Sequence, residues 1–269
     1  MSADGTTDRE RLAATFDADA ERYERARPRY PAELFADLGG LAGLAPGARV
    51  LEVGPGTGQA TRGLLAEGWR VVAVERGPAL AAVARRELAG TDLRVDVGTF
   101  ETWPPDGHDE DPFDAVVSAT AWHWVDPDIG YRHATDLLGP GGSIALIGTT
   151  HVLPADGDPF FVDVQRVYAR FGEVLEGGPP MPADVADPFV EDIAASGLFH
   201  PATVRRYLWP HTYTAEEYVD VLSTYSNTLT MPEPQRRDFL AGVTAMIRDR
   251  PGGTVTKHYL NHLVAARRL

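Results

Sequence analysis

The run VLEVGPGTGQAT at positions 50–61 limits the fold of this chain more than any other stretch. Apolar, strand-forming residues lead straight into three close glycines, Gly54, Gly56 and Gly58, and a helical pattern begins behind them. Glycine takes positive φ at no steric cost and lets a backbone approach a ligand closely. The first N–H groups of the following helix have no partner within the helix, so a ligand can use them. A glycine triplet also occurs in ordinary turns. What favours a ligand loop is its place after the first strand, where an open α/β sheet reverses direction.

The stretch from 48 to 148 sets this unit in a repeating rhythm. Short apolar runs lie at 49–53, 70–74, 93–97, 113–118 and 143–147. Runs of this kind suit strands buried on both faces of a parallel sheet. Between them, Leu80, Val83, Ala84 and Leu88 form one helical stripe, and Tyr131, Ala134, Leu137 and Leu138 form another before GPGG stops it. Strand and helix in alternation predict an α/β fold: a Rossmann-like, open, mostly parallel sheet with helices on both faces. Upstream, 32–44 carries Leu34, Leu38 and Leu41 at helical spacing. Downstream, one helix is expected over 159–171, followed by a Pro/Gly-rich linker without a strand. A strand at 203–209, helices at 215–225 and 234–248, and a last strand at 254–265 complete the chain. The expected organisation is a lid and core over 1–150, an insertion covering the active site over 151–200, and the rest of the same sheet over 201–269.

Charge and composition exclude several classes. The chain has 269 residues, a formal net charge of −14 and no cysteine. Disulfides, thiolate metal sites and cysteine nucleophiles are therefore absent. Nucleic acid is disfavoured as a partner, because no Lys/Arg cluster is present to displace counterions from phosphate. Nearly every basic residue is arginine, and Lys257 is the one lysine. The charged first thirty residues lack the apolar centre of a signal peptide, and no apolar run approaches the roughly 20 residues that span a bilayer. The expectation is a cytoplasmic protein with no membrane association; oligomeric state is open.

The glycine spacing narrows the ligand. The dinucleotide pattern needs glycine where Gln59 stands, and no lysine follows to make a phosphate-binding P-loop. Glu52 precedes the glycines, and Glu75 ends the next strand, where a carboxylate can accept both hydroxyls of a ribose. Glu75 by itself fits a nicotinamide-dependent oxidoreductase equally well, or a solvated strand end. With Glu52 and the G-x-G-x-G spacing, however, the stretch resembles motif I of class I S-adenosylmethionine-dependent methyltransferases. FDAVVSATAWHWVDP (113–127) is similar to the fourth-strand motif of small-molecule members related to trans-aconitate methyltransferase, and LLGPGGSIALIG (137–148) is similar to the superfamily's fifth strand.

The resemblance implies a seven-stranded sheet with an antiparallel last strand, S-adenosyl-L-methionine as cofactor, and a small-molecule methyl acceptor. It implies cofactor contacts from Glu52, Gly54, Gly56, Gly58 and Glu75, from Thr99 and Phe100 beside the adenine, and from Ser118 and Ala119 beside the methionine part. Trp122, His123 and Trp124 would lie near the transferable methyl, or the tryptophans simply pack the strand's end. His123 is the first candidate base and His151, after the fifth strand, the second; no metal is expected. The segment 16–31 resembles a lid in which Tyr23 and Tyr30 close over the cofactor and Arg27 or Arg29 meets a carboxylate, the alternative being a solvated charged helix. His258 and His262 read as strand residues, about 13 Å apart and too far for one ion. A regulatory protein that binds the cofactor without turnover remains a further alternative, because fold does not establish chemistry.

Overall fold

The computed structural model describes residues 17, 19–104, 111–172 and 178–269. Residues 16 and 18 of the expected lid lie outside the described residues.

Seven strands form one sheet: β1 (Arg49–Val53), β2 (Arg70–Glu75), β3 (Leu93–Val97), β4 (Phe113–Ala119), β5 (Leu138–Val152), β6 (Thr203–Thr214) and β7 (Thr254–Arg267). Their order is β3-β2-β1-β4-β5-β7-β6. Strands β1 to β5 pair in parallel, and β7 is antiparallel to both β5 and β6. The expected α/β sheet with an antiparallel last strand is thus observed. The chain winds outward from β1 through β2 to β3, then returns to β4 on the other side. That reversal leaves a crevice beyond the carboxyl ends of β1 and β4, where open α/β sheets bind ligands.

Alternation along the strands gives the sheet two cores. Val50, Val71, Ala73, Ala115 and Val117 point to one face, against α2 (Ala32–Ala42), α3 (Thr61–Ala66) and α4 (Pro78–Glu87). Leu51, Val72, Val74, Val116 and Leu146 point to the other, against α5 (Pro127–Leu137) and α8 (Val190–Ser196). The helix boundaries follow local chemistry. Gly43 ends α2 with φ +69. Pro78 opens α4, and the Asp126 carboxylate caps α5 by accepting from the Asp128 amide at 3.0 Å.

Departures from the sequence expectations cluster after residue 138. Strand β5 begins earlier than expected, but residues 139–142 stand out of its pairing: Phe113 faces Leu138, and the next pair is Ala115 with Ser143. The single helix expected at 159–171 is broken into α6 (Phe160–Asp163), α7 (Gln165–Tyr168) and a 3-10 turn (Ala169–Phe171). The Pro/Gly-rich linker expected without a strand leads into α8. The helix expected over 215–225 ends early as α9 (Ala215–Leu222), a further short helix α10 (Ser226–Thr230) follows it, and α11 spans Glu233–Arg248.

Strands β6 and β7 run well past the rest of the sheet, and their overhang carries a third core. Phe160, Phe161, Val164, Tyr218, Val221, Phe239, Val243 and Tyr259 pack together there. The cap over the crevice is therefore made jointly by residues after β5 and by the helices between β6 and β7, while α8 returns to the far face of the sheet.

Candidate functional site

Sheet register sets the site. Val53 pairs with Val74, so the glycine turn and Glu75 leave the sheet side by side, and the Gly54 amide donates to the Val74 carbonyl at 2.9 Å. Gly54, Gly56 and Gly58 have φ of +70, +59 and +100. An added Cβ on Gly54 would sit 2.5 Å from the Ala121 Cβ, so close approach as well as φ requires glycine there.

A cavity of about 750 Å³ opens at this edge and extends beneath the cap. Glu52, Gly54, Gly56, Glu75, Thr99, Phe100 and Ala119 border it, as do Tyr23, Arg27, Arg29 and Tyr30, and His123 and His151. Three expected residues take other places. Gly58 turns the chain into α3 with Leu88 packed against it. Ser118 is fully buried and donates to the Val53 carbonyl at 2.9 Å, tying β4 to β1. Trp122, expected beside the methyl position, instead packs into the core against Phe100 and Tyr131, with ring centroids 5.7 and 5.2 Å away. The 3-10 turn Trp122–Trp124 rotates Trp124 to the cavity in its place. Phe100 borders the cavity but is itself held in the core between Trp122 and His133.

The two ends of the cavity differ in electrostatic character. At the glycine end, Glu52 is fully buried and its Oε2 accepts from the Thr61 hydroxyl at 2.6 Å, while Oε1 has no partner among the described residues. Burial, only partly offset by Thr61, pushes its carboxyl up to about 7, and nearby Glu75 adds to the rise. Glu75 accepts from the Gly77 amide at 2.8 Å and the Gly56 amide at 2.9 Å, yet burial still raises it above the usual carboxylate range.

The other end, beneath the cap, is aromatic and cationic. Arg27 donates to the Thr224 hydroxyl and carbonyl at 2.9 and 3.0 Å. Lys257 is 2% exposed and donates to the Tyr225 hydroxyl at 2.8 Å. Tyr30 meets the Thr120 hydroxyl at 3.1 Å, and burial raises its phenol to about 12. His151 lies edge-on to Phe161, and burial, with the charge of Lys257 and the ring of His258, lowers it to about 2. His123 is exposed at the cavity rim beside Trp124.

Helix α1 (Ala20–Ala26), in the segment expected to be a lid, packs beside the glycine end. Tyr23 lies over Gly56, where an added Cβ would be 3.6 Å from its ring. Glu24 accepts from Gln59 at 3.0 Å and Arg62 at 2.6 Å, and Asp17 accepts from the Ala79 and Leu80 amides at the start of α4. His258 and His262 lie four residues apart on one face of β7, away from the cavity's bordering residues.

Sequence reasoning missed Lys257, Tyr225, Tyr218, Tyr259 and Asn261, all of which border the cavity. The signal available for one of them was alternation: Val255, Lys257 and Tyr259 share a strand face, so the one lysine was placed with inward residues.

Comparison with known proteins agrees with this geometry. Residues 50–142 match the methyltransferase-domain family. An uncharacterized methyltransferase of Mycobacterium tuberculosis (strain ATCC 25618 / H37Rv) is 30% identical over 248 residues, covering 91% of this chain and 90% of that protein. The structure of a "putative type II methyltransferase" from Anaeromyxobacter dehalogenans aligns with a TM-score of 0.60 at 26% identity, covering 90% and 97% of the two chains. Phosphoethanolamine N-methyltransferase 2 of Haemonchus contortus, solved with S-adenosyl-L-methionine, shares the fold, with a TM-score of 0.51 at 16% identity and coverage of 93% and 57%. The chain belongs to the class I S-adenosylmethionine-dependent methyltransferase superfamily. It is an enzyme of methyl transfer, with S-adenosylmethionine as methyl donor.

Proposed function

We propose that this methyltransferase moves the methyl group to an oxygen, nitrogen or carbon nucleophile of a small molecule bound beneath the cap. The observation that carries this reading is one continuous cavity with a glycine-and-carboxylate end and an aromatic, cationic end. Its volume suits a cofactor and a small acceptor together. The net charge of −14 argues against a nucleic-acid acceptor. Among the described residues no helix is long and apolar enough to cross a membrane, and a cytoplasmic setting fits the cysteine-free chain.

The chemistry of the donor set fits the cofactor. Glu52 Oε1 is a buried acceptor without a donor, at the edge of the cavity, and a group bearing N–H would satisfy it. The Glu75 carboxylate offers two oxygens to a diol, and the amides of 54–58 border the same end. Thr99, Phe100 and Ala119 would flank the remaining parts. When bound, the cofactor supplies a methyl group already activated on a sulfonium. What the chain adds is position and the exclusion of water. Tyr23 and the lid close the glycine end, and Tyr30 with Thr120 fixes the wall between the two ends.

Where the acceptor must lose a proton, His123, exposed at the cavity rim, takes it in this reading. His151 is a poor proton acceptor at about 2 and acts as a neutral wall. The test is single turnover with methyl-labelled cofactor on a metabolite extract. Label in one low-molecular-weight product supports the proposal and names the acceptor. Label found only in macromolecules, or nowhere with cofactor demonstrably bound, overturns it.

A further inference from the structure

Lys257, the one lysine of the chain, is 2% exposed, and its ammonium donates to the Tyr225 hydroxyl at 2.8 Å. The rings of Tyr218, Tyr225 and Tyr259 stand around it, with centroids 5.1–5.7 Å away. Tyr225 lies in the turn between α9 and α10, and the guanidinium carbon of Arg27 is 4.6 Å from the centroid of its ring. Lys257 and Tyr225 both border the cavity. No carboxylate among the described residues pairs with either cation.

An ammonium group taken out of water is costly unless a negative charge meets it. The group in contact that can supply that charge is the phenol of Tyr225. The cofactor brings a carboxylate of its own, but Lys257 is enclosed by rings and by the Tyr225 oxygen. Arg27 has donors to spare, since Thr224 takes only two bonds from a guanidinium with five hydrogens. A cofactor carboxylate reaching this end therefore goes to Arg27 and leaves the Lys257–Tyr225 pair intact.

The phenols on this wall are pushed apart by their surroundings, as acid and base partners in active sites are. Burial raises Tyr213, Tyr218 and Tyr259 above the ordinary phenol range. Burial acts on Tyr225 in the same sense, but Lys257 and Arg27 outweigh it and hold that hydroxyl below the range. On β5, His151 faces Lys257 as a neutral ring, and on β6 the Tyr213 hydroxyl meets that of Tyr259 at 2.8 Å.

We propose that Tyr225, held by Lys257, takes the proton from a methyl acceptor whose nucleophile lies beneath the cap. This rests on the methyltransferase reading and adds a proton acceptor there, away from His123 at the rim. The acceptor's O–H or N–H proton passes to the Tyr225 oxygen, and the lone pair of that oxygen or nitrogen forms the bond to the methyl carbon. The carbon–sulfur bond breaks with its electrons left on sulfur, and the proton returns to solvent once the products leave. A base of this strength suits a nucleophile of similar acidity, a phenolic or enolic hydroxyl or an amine. A carboxylic acid, ionised already at neutral pH, has no use for it.

Near-ultraviolet absorbance of the full-length protein saturated with S-adenosylhomocysteine should show one phenolate titrating well below the ordinary value of about 10. Tyr225→Phe should remove that band and Lys257→Met should move it to higher pH, both with unchanged affinity for S-adenosylhomocysteine. In single turnover with methyl-labelled cofactor on a metabolite extract, Tyr225→Phe should slow labelling by about 10²–10⁴-fold. Lys257→Met should carry the acid limb of the rate profile to higher pH and Lys257→Arg should bring it back, which a merely structural lysine would not do. Absence of the low-titrating phenolate from the unaltered complex overturns the proposal, whether or not the variants fold. So does labelling by Tyr225→Phe at the unaltered rate, or a labelled product that is the methyl ester of a carboxylic acid. An extract left unlabelled by unaltered, cofactor-bound protein would instead strike at the methyltransferase reading and take the proposal with it. The absorbance titration needs no acceptor, so the two failures are distinguishable.

Discussion

Glu52 carries the sharpest consequence of burial at a single position. Its carboxyl titrates near 7 in the folded protein against 4.5 for the free side chain. A raised carboxyl stabilises the fold most below the free value, and that contribution is lost as pH rises through the folded value. Unliganded protein should therefore lose about 3 kcal/mol between pH 4.5 and pH 7 from this residue, with Glu75 adding in the same direction. Glu52→Gln should flatten that part of the profile, which thermal unfolding of both proteins across the range would show; parallel profiles would contradict the assignment. Gly54→Ala should weaken cofactor binding by about tenfold or more and cost roughly 1–2 kcal/mol of stability, because φ is +70 and Ala121 occupies the space. Calorimetry with S-adenosylhomocysteine checks the first and denaturant melts the second. At this scale the sequence displayed the glycines and both carboxylates because spacing alone marks them. It did not display which of Trp122 and Trp124 faces the cavity, since a short 3-10 turn decides that. Lys257 was visible as a rarity but not as a cavity residue, because its neighbours Tyr218 and Tyr225 lie on other elements.

Elements hold the site closed through contacts that local patterns do not contain. The lid α1 is fastened by Glu24 to Gln59 and Arg62, and Asp17 caps α4. Gln59, which breaks the dinucleotide pattern, thus serves as an anchor for the lid. Glu24→Ala should leave overall stability within about 1 kcal/mol, since the pairs are partly exposed. The same change should speed release of S-adenosylhomocysteine and expose the lid to proteolysis; stopped-flow release at the unaltered rate would speak against a lid. The cap has its own local signal. Thr214 and Glu217 form a capping box at the start of α9. Thr214→Ala should cost about 1 kcal/mol, read as a drop of roughly 2–4 °C in Tm. The expected single helix over 159–171 failed because the turns at Val164 and Ala169 answer to packing on α11, a contact across some seventy residues that periodicity cannot register.

For the whole molecule, the positions of the first five strands and their parallel character followed from the rhythm of apolar runs, because strands buried on both faces leave such a pattern; their order in the sheet did not. The cap was harder to read. It joins segments on either side of β6, and its core of phenylalanines and tyrosines looks like ordinary helix stripes until β6 and β7 are seen to overhang the sheet. In the proposed function, the glycine turn, Glu52 and Glu75 hold the methyl donor at the carboxyl edge of this sheet. Calorimetric titration of S-adenosylhomocysteine into the unaltered protein and into Glu75→Gln, with NAD as control, tests it most directly. The expected result is saturable one-site binding, absent with NAD and weakened by about ten- to a hundredfold in the variant. Folded protein that takes up neither S-adenosylmethionine nor its demethylated product at about 1 mM, a limit of roughly −4 kcal/mol, would contradict it.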